Sequence, residues 1–366
     1  MTEKIRRVRW VQLDLGEEEK KALADCIDRG WIAGGGPATQ ELERTVKRLI
    51  DVKHAVACSS GTTALMTALY AVTPDARRAA IPTFTFVATV NVTKNLIEPV
   101  LVDCDPATLN LSLKDLSAVQ WDCVIPVHVG GLPVDMAEVV ETAAKRSGWV
   151  IEDAAEAIGA QYRGKPVGSL GDLACFSLYA SKVVASGEGG FITTNSDELA
   201  EKCRQIINQG YAPRNEEAPW EYLHSSFGLN FRITDLQAAV AVEQLKKLPR
   251  FLERRSRIAS IYREMLNGKV GFQQVPPDRT HPYYLFLILV EEPKRDRVIR
   301  RLTERGIEAK VTWRPVHLQP FYRHDGRPLP NAEHAWRQVI ALPIHNKMSE
   351  EDAIYVSDQL LNILVS

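Results

Sequence analysis

The chain has 366 residues, 45% hydrophobic and 25% charged, and its 45 Lys and Arg set against 46 Asp and Glu leave a formal net charge of -1. This is the composition of an ordinary globular chain long enough for two domains, and so small a net charge provides no global field to gather nucleic acid or anionic membrane, so any anion it binds must be held locally. No apolar run approaches bilayer-spanning length, and the opening "MTEKIRRVRWVQLDLGEEEKKALADC" has no apolar core followed by a small-residue cleavage site, so a cytoplasmic protein is expected.

From about residue 52 to about 195, short runs rich in Val, Ile and Ala alternate with amphipathic stretches. They include "HAVAC", "TALMTALYAV", "AAIP", "PVLVDCD", "CVIPV", "MAEVVETAAKRSG" and "WVIEDAA". Strands broken by helical patterns at this rhythm predict βαβ units and a mainly parallel sheet, which gathers functional groups at the carboxyl ends of its strands. The first such place is "ACSSGTTALMTAL", where Ser59, Ser60, Gly61, Thr62 and Thr63 fall between a strand and a helix. Free N–H groups, hydroxyls and the positive end of the helix dipole would meet there, which suits a phosphate; an N-cap with a glycine turn is the plainer reading.

"WVIEDAAEAIGA" then ends an apolar run on Glu152 and Asp153. A carboxylate at a strand's carboxyl end sits at the mouth of the site and asks for a cationic partner, or it serves as a cap or ion-pair member. The following "LGDLACFSLYASKVVASGEGGFITT" predicts strand, loop, strand, with Lys182 leaving the first strand.

Beyond residue 233 the pattern becomes a long helix, "ITDLQAAVAVEQLKKLPRFLERRSRIASIYREML", with Pro249 as a break or kink. Its cluster "FLERRSRIASIYRE" mixes bases and acids at helical spacing and reads as a solvated face. "YYLFLILVEEPKRDRVIRRLTERGIEAKVTW" predicts strand, helix, strand, and "SEEDAIYVSDQLLNIL" a closing helix with a Ser N-cap and acids in its first turn. Two domains are expected, a large one over 1–245 and a smaller α/β one over 246–366. The six cysteines show no C-x-x-C pair and lie mostly in apolar runs, and the eight histidines do not cluster, so buried thiols are expected and a metal site is not.

A strand-end anion nest, a strand-end aspartate and a loop lysine on one sheet match the needs of a pyridoxal phosphate enzyme. Such an enzyme requires a lysine to bond the cofactor, an acid to keep the pyridine nitrogen protonated, and an anchor for the phosphate.

On a longer set of segments the chain resembles the fold-type I pyridoxal phosphate enzymes, and among them the DegT/DnrJ/EryC1/StrS family of sugar aminotransferases. The segments are "GWIAGGGPATQELE", "VKHAVACSSGTTAL", "IPTFTFVATVNV", "VIPVHVGG", "VIEDAAEAIGAQYRGKPVGSLGDLACFSLYASKVVASGEGG", "GLNFRITDLQAA" and "PVHLQPFY". The resemblance implies a mainly parallel mixed sheet flanked by helices, with a smaller C-terminal α/β domain. It makes Lys182 the lysine that bonds the cofactor and Asp153 the partner of the pyridine nitrogen. It puts Glu156 near the phenolic oxygen, Gly61, Thr62 and Ser177 at the phosphate, and Phe86 against the ring's face. Asn230 matches an asparagine that reaches the phosphate from a neighbouring subunit, so the resemblance implies a homodimer with shared sites; Arg232 and His317 align near the substrate.

The activity it implies is amino transfer from L-glutamate to a nucleotide-linked keto sugar, with aminotransfer to a cyclitol or a non-catalytic cofactor-binding role as the alternatives. Two departures are visible. Ser181 stands before the lysine where Thr, Asn or Asp is more familiar, and "VVASGEGG" replaces an "LTTGEGG"-like run.

Overall fold

Past His54 the run His54–Cys58 carries no side chain that needs water on either face, and it forms strand β1 with four of its five residues buried. In the computed structural model, which describes residues 6–211, 220–322 and 326–365, the other short apolar runs behave alike. They form β2 (Arg78–Pro82), β3 (Glu98–Val102), β4 (Cys123–Val124) and β5 (Trp149–Asp153). A small hairpin of β6 (Gln161–Tyr162) and β7 (Lys165–Pro166) follows, then β8 (Leu173–Ser177) and β9 (Gly190–Thr194). One seven-stranded sheet has the order β1-β9-β8-β5-β4-β2-β3. It is parallel throughout except for β9, which runs antiparallel to both β1 and β8.

Helices cover both faces of this sheet: α1 (Glu17–Asp28), α2 (Pro37–Ile50), α3 (Gly61–Val72), the short α4 (Ala88–Asn91), α5 (Leu113–Ala118), α6 (Met136–Ala144), α7 (Asp197–Ile207) and α8 (Asp235–Lys246). On one face α3 packs through small residues, Ala64, Ala68 and Ala71, against a cluster that includes Val56, Ile151 and Cys175. On the other, Leu42, Val46 and Ala238 meet Phe176 and Phe191, whose rings stack with centroids 4.6 Å apart. Ser60 caps α3 by accepting from the Thr63 N–H, while the Thr63 hydroxyl takes the Ser60 N–H.

The helical pattern after residue 233 divides as its proline demands. α9 (Leu248–Leu266) starts two residues after α8 ends, with Pro249 in its first turn, where a missing N–H costs nothing. The chain continues through β10 (Gly271–Phe272), β11 (Phe286–Leu289), α10 (Arg295–Glu304), α11 (Pro330–Gln338), β12 (Val339–Leu342) and α12 (Glu350–Leu364). β10, β11 and β12 make an antiparallel sheet with its own core, which holds Tyr262, Phe286, Leu302, Ile340 and Leu360. α12 begins at the expected Ser349 cap.

Two features depart from the sequence pattern. The expected strand in "IEAKVTW" is reduced to two isolated bridges, Ile307 with Val8 and Lys310 with Ala341, and "VIAL" supplies the third strand instead. Ile307 is occupied by Val8, whose N–H and C=O bond to Gly306 and Glu308, so the chain's first described residues are built into the C-terminal core. All six cysteines are buried free thiols. Among the described residues no helix is long and apolar enough to cross a membrane.

Candidate active site

Glu152 and Asp153 close β5, and strand alternation sends their side chains to opposite faces. Glu152 is fully buried. Its carboxylate accepts from the backbone N–H groups of Gly168, Leu170 and Gly171 and lies 3.2 Å from His128 Nε2. Because His128 Nδ1 accepts from the Val134 N–H, Nε2 carries the ring proton and donates it to Glu152. Glu152 is therefore a brace for the 168–171 turn and lies away from the site. Glu152→Ala should lower stability by about 3–5 kcal/mol, since several buried donors lose their acceptor together. A urea midpoint within error of the wild type would rule that out.

Asp153 faces the carboxyl edge of the sheet. Its Oδ2 accepts from the Thr89 hydroxyl at 2.8 Å and its Oδ1 from the Ala155 N–H at 3.2 Å. Burial pushes its pKa above the usual carboxylate value, and the Thr89 and Ala155 donors and the charge on Lys182 only partly offset this. Three residues on, Glu156 is also buried; its Oε2 accepts from the Gly130 N–H at 2.9 Å and its Oε1 lies 3.4 Å from Lys182 Nζ. Burial carries Glu156 up to about 7, against the opposing pull of Lys182.

Lys182 sits on the loop between β8 and β9. Burial works to strip its proton, but Tyr284, Glu156 and Asp153 together outweigh that, so the amine is held above its ordinary value. Its Nζ lies 4.3 Å from the centre of the Tyr284 ring. The Tyr284 hydroxyl is in turn 3.0 Å from Ser181 Oγ.

The remaining expected residues fall around this cluster. Gly61, the first residue of α3, lies against Ser177 at the end of β8 so closely that a Cβ there would come within 2.7 Å of the Ser177 Cβ. Only glycine allows the helix start and the strand end to meet, and the free N–H groups of that first turn, with the exposed Thr62, complete an anion cradle. Phe86 is 56% exposed, and its carbonyl oxygen lies 3.1 Å from the same Thr89 hydroxyl that serves Asp153. The Phe86 backbone is thus tied to the hydroxyl that also serves the acid.

His317 is in a short turn (Val316–Leu318) docked on the residue after β2. Its Nδ1 is 2.7 Å from the Thr83 hydroxyl and its Nε2 3.3 Å from Glu333. Arg232 donates to Asn208 Oδ1 at 2.7 Å, and the carbonyl of Phe231 accepts from the Ser59 N–H, which runs this segment past the cradle. Asn230 is exposed, and within this chain its backbone pairs with Asn208; no side-chain bond joins it to the lysine cluster.

Sequence reasoning did not single out Thr89, Tyr284 or the Ser181–Tyr284 contact. Thr89 stood within "IPTFTFVATVNV", whereas Tyr284 lies about a hundred residues from the lysine, in a run that reads as a buried strand.

Two buried acids face one largely buried base, so the cluster leaves Asp153 short of a positive partner. A helix start built for an anion lies at the neighbouring strand ends. This donor set fits a molecule that is cationic at one end, phosphorylated at the other and reactive toward an amine.

Comparison with known proteins agrees with this reading. The model of the DegT/DnrJ/EryC1/StrS aminotransferase family matches residues 13–361. The chain is 36% identical to the GDP-perosamine synthase of Caulobacter vibrioides, with 96% of each chain covered. It is 35% identical to the UDP-N-acetyl-3-dehydro-alpha-D-glucosamine 3-aminotransferase of Acidithiobacillus ferrooxidans, with 86% of each covered. Among solved structures, DesV of S. venezuelae superposes with a TM-score of 0.91 at 31% identity, over 98% of this chain and 99% of that one.

Proposed function

The chain belongs to the DegT/DnrJ/EryC1/StrS aminotransferase family and is a pyridoxal 5'-phosphate-dependent aminotransferase, and on that premise we propose that it moves an amino group from L-glutamate to the keto group of a nucleotide-linked keto-deoxy sugar. The products are an amino sugar and 2-oxoglutarate. The observation that carries the reading is the cluster of buried Asp153 and Glu156 with the largely buried Lys182, at the edge where Gly61 meets Ser177. The sugar enters through the relatives, which are named for aminotransfer to or synthesis of nucleotide-linked sugars.

When bound, pyridoxal phosphate supplies an aldehyde carbon that carries the amino group and a ring that accepts electrons released at the substrate's carbon. Gly61, Thr62 and Ser177 would hold its phosphate, and Phe86 would lie against its ring. Asp153, desolvated and short of positive charge, holds a proton on the ring nitrogen. Lys182 makes the covalent attachment through Nζ. That amine must first give up the proton its neighbours favour, and Glu156, 3.4 Å away and near neutrality in its own titration, is placed to take it. When not bonded to the cofactor, the Lys182 amine, tethered in the site, would be placed to move a proton between the reacting carbons.

Asn230 is exposed within one chain, and in this reading it completes the phosphate site of a second subunit, making the enzyme a homodimer. Arg232 and His317 line the substrate side.

The test has two halves. L-glutamate alone should bleach the cofactor's visible band and release 2-oxoglutarate, and initial-rate plots against both substrates should give parallel lines. A panel of GDP-, UDP- and dTDP-linked keto sugars, read by product mass, should then yield an amino sugar. Turnover of a keto cyclitol with no product from any nucleotide sugar would overturn the substrate class, and absence of the first half-reaction would overturn the donor.

A further inference from the structure

Arg255 sits in the basic run expected to form a solvated face, yet it is 2% exposed, and among the described residues it pairs with no carboxylate. Its donors go to neutral oxygens instead. Nε bonds to Asn346 Oδ1 at 2.8 Å, and Nη1 bonds to the carbonyls of Tyr283 at 2.8 Å and Ile344 at 3.2 Å. Burial pushes the guanidinium down to about 10. A buried charge without a counter-ion is costly, and its neighbours show what that cost secures.

Both of its arms lead to Lys182. Through Asn346, whose Nδ2 donates to the Val183 carbonyl at 2.9 Å, Arg255 orders the residue after the lysine. Through the Tyr283 carbonyl it fixes the backbone that carries Tyr284. The Tyr284 ring meets the lysine amine and its hydroxyl meets Ser181, the residue before the lysine.

We propose that Arg255 and Asn346 are positioning residues for Lys182: from the C-terminal unit they hold the backbone on one side of the lysine and the aromatic ring against its amine. The proposal rests on Lys182 being the cofactor's lysine. The amine is faced by Asp153 at the end of β5, by Glu156 just after it and by Tyr284 from the segment before β11; Arg255 lies near Tyr284, and His345 near Arg255. Burial alone would lower the amine's titration; contact with Tyr284 and the two acids raises it. A side chain displaced from those partners by a loosened backbone should therefore titrate lower, and, being out of place, should slow turnover.

Asn346→Asp separates positioning from mere support of the fold. It keeps the size of the side chain and gives Arg255 a carboxylate to pair with, but sets an acceptor against the Val183 carbonyl. In the full-length, cofactor-free protein, labelling of Lys182 with an amine reagent is followed against pH by mass spectrometry. The variant should melt no earlier than the wild type while the pH of half-labelling falls. In the loaded enzyme kcat should drop about tenfold, with KM for glutamate little changed.

A folded Asn346→Asp protein with wild-type labelling and wild-type kcat overturns the proposal. If that variant does not fold, Asn346→Ala takes its place, with the same expectations for labelling and kcat. Failure of both to fold also overturns the proposal, because the pair then supports the fold and not the lysine. Borohydride reduction of the loaded wild type should tag Lys182; a tag elsewhere would instead refute the assignment of the lysine.

Discussion

Lys182→Ala is expected to lower turnover by about 10⁴-fold or more, because in the proposed reaction one amine would both attach the cofactor and carry the proton between the reacting carbons. The loss should leave the fold standing, with a cost to stability that depends on pH. Removing the ammonium leaves Glu156 buried without its cation, and Glu156 already titrates up near 7 through burial. Below that value it can take up a proton and remain neutral, so the variant should melt close to the wild type at about pH 6. Above it the folded state must bury an unpaired carboxylate that the unfolded chain would hydrate, and the gap should widen toward pH 9. Melting curves at the two values check this, alongside single-turnover assays; a variant retaining near-normal rates would falsify the assignment.

Asp153→Asn is expected to act on catalysis and stability in opposite directions. An amide cannot hold a proton on the ring nitrogen, so the rate should fall about a hundredfold or more. In the cofactor-free protein the same change should stabilise. Burial raises the pKa of Asp153, so its folded value lies above its unfolded one and the ionised side chain costs stability as pH rises through the carboxylate range. An amide has nothing to ionise. It also suits the site, since its oxygen can accept from Ala155 while its NH2 donates to Thr89, whose hydroxyl is free to turn toward the Phe86 carbonyl. The thermal midpoint of the cofactor-free variant should equal that of the wild type at low pH and exceed it near neutrality. A midpoint lower than the wild type's near neutrality would show that Asp153 is held as a charge by its own surroundings.

Much of this architecture is legible in one dimension, for reasons that differ by element. A sheet buried on both faces writes itself as short apolar runs, and every main-sheet strand was visible as such. The caps at Ser60 and Ser349 and the break at Pro249 follow from local chemistry at single positions. The lysine and the strand-end aspartate were legible because their chemistry contradicts their apolar neighbours.

Long-range relations were not. Val8 joining Ile307, Tyr284 meeting Lys182, and the burial of Arg255 each require elements remote in sequence to be brought together. Glu152 and Asp153 are adjacent and alike on paper; only the direction each side chain takes from β5 makes one a brace and the other a member of the site.

The reversed strand β9 has its own consequence. In a purely parallel sheet the chain leaving β8 would enter a helix and return far away. Here it folds straight back, and paired backbone groups continue into the turn itself, from Leu178 to Gly189 and from Ala180 to Gly187. The Lys182 amine consequently rides on a short span moored at both ends in the main sheet, with little slack to lose when substrate arrives.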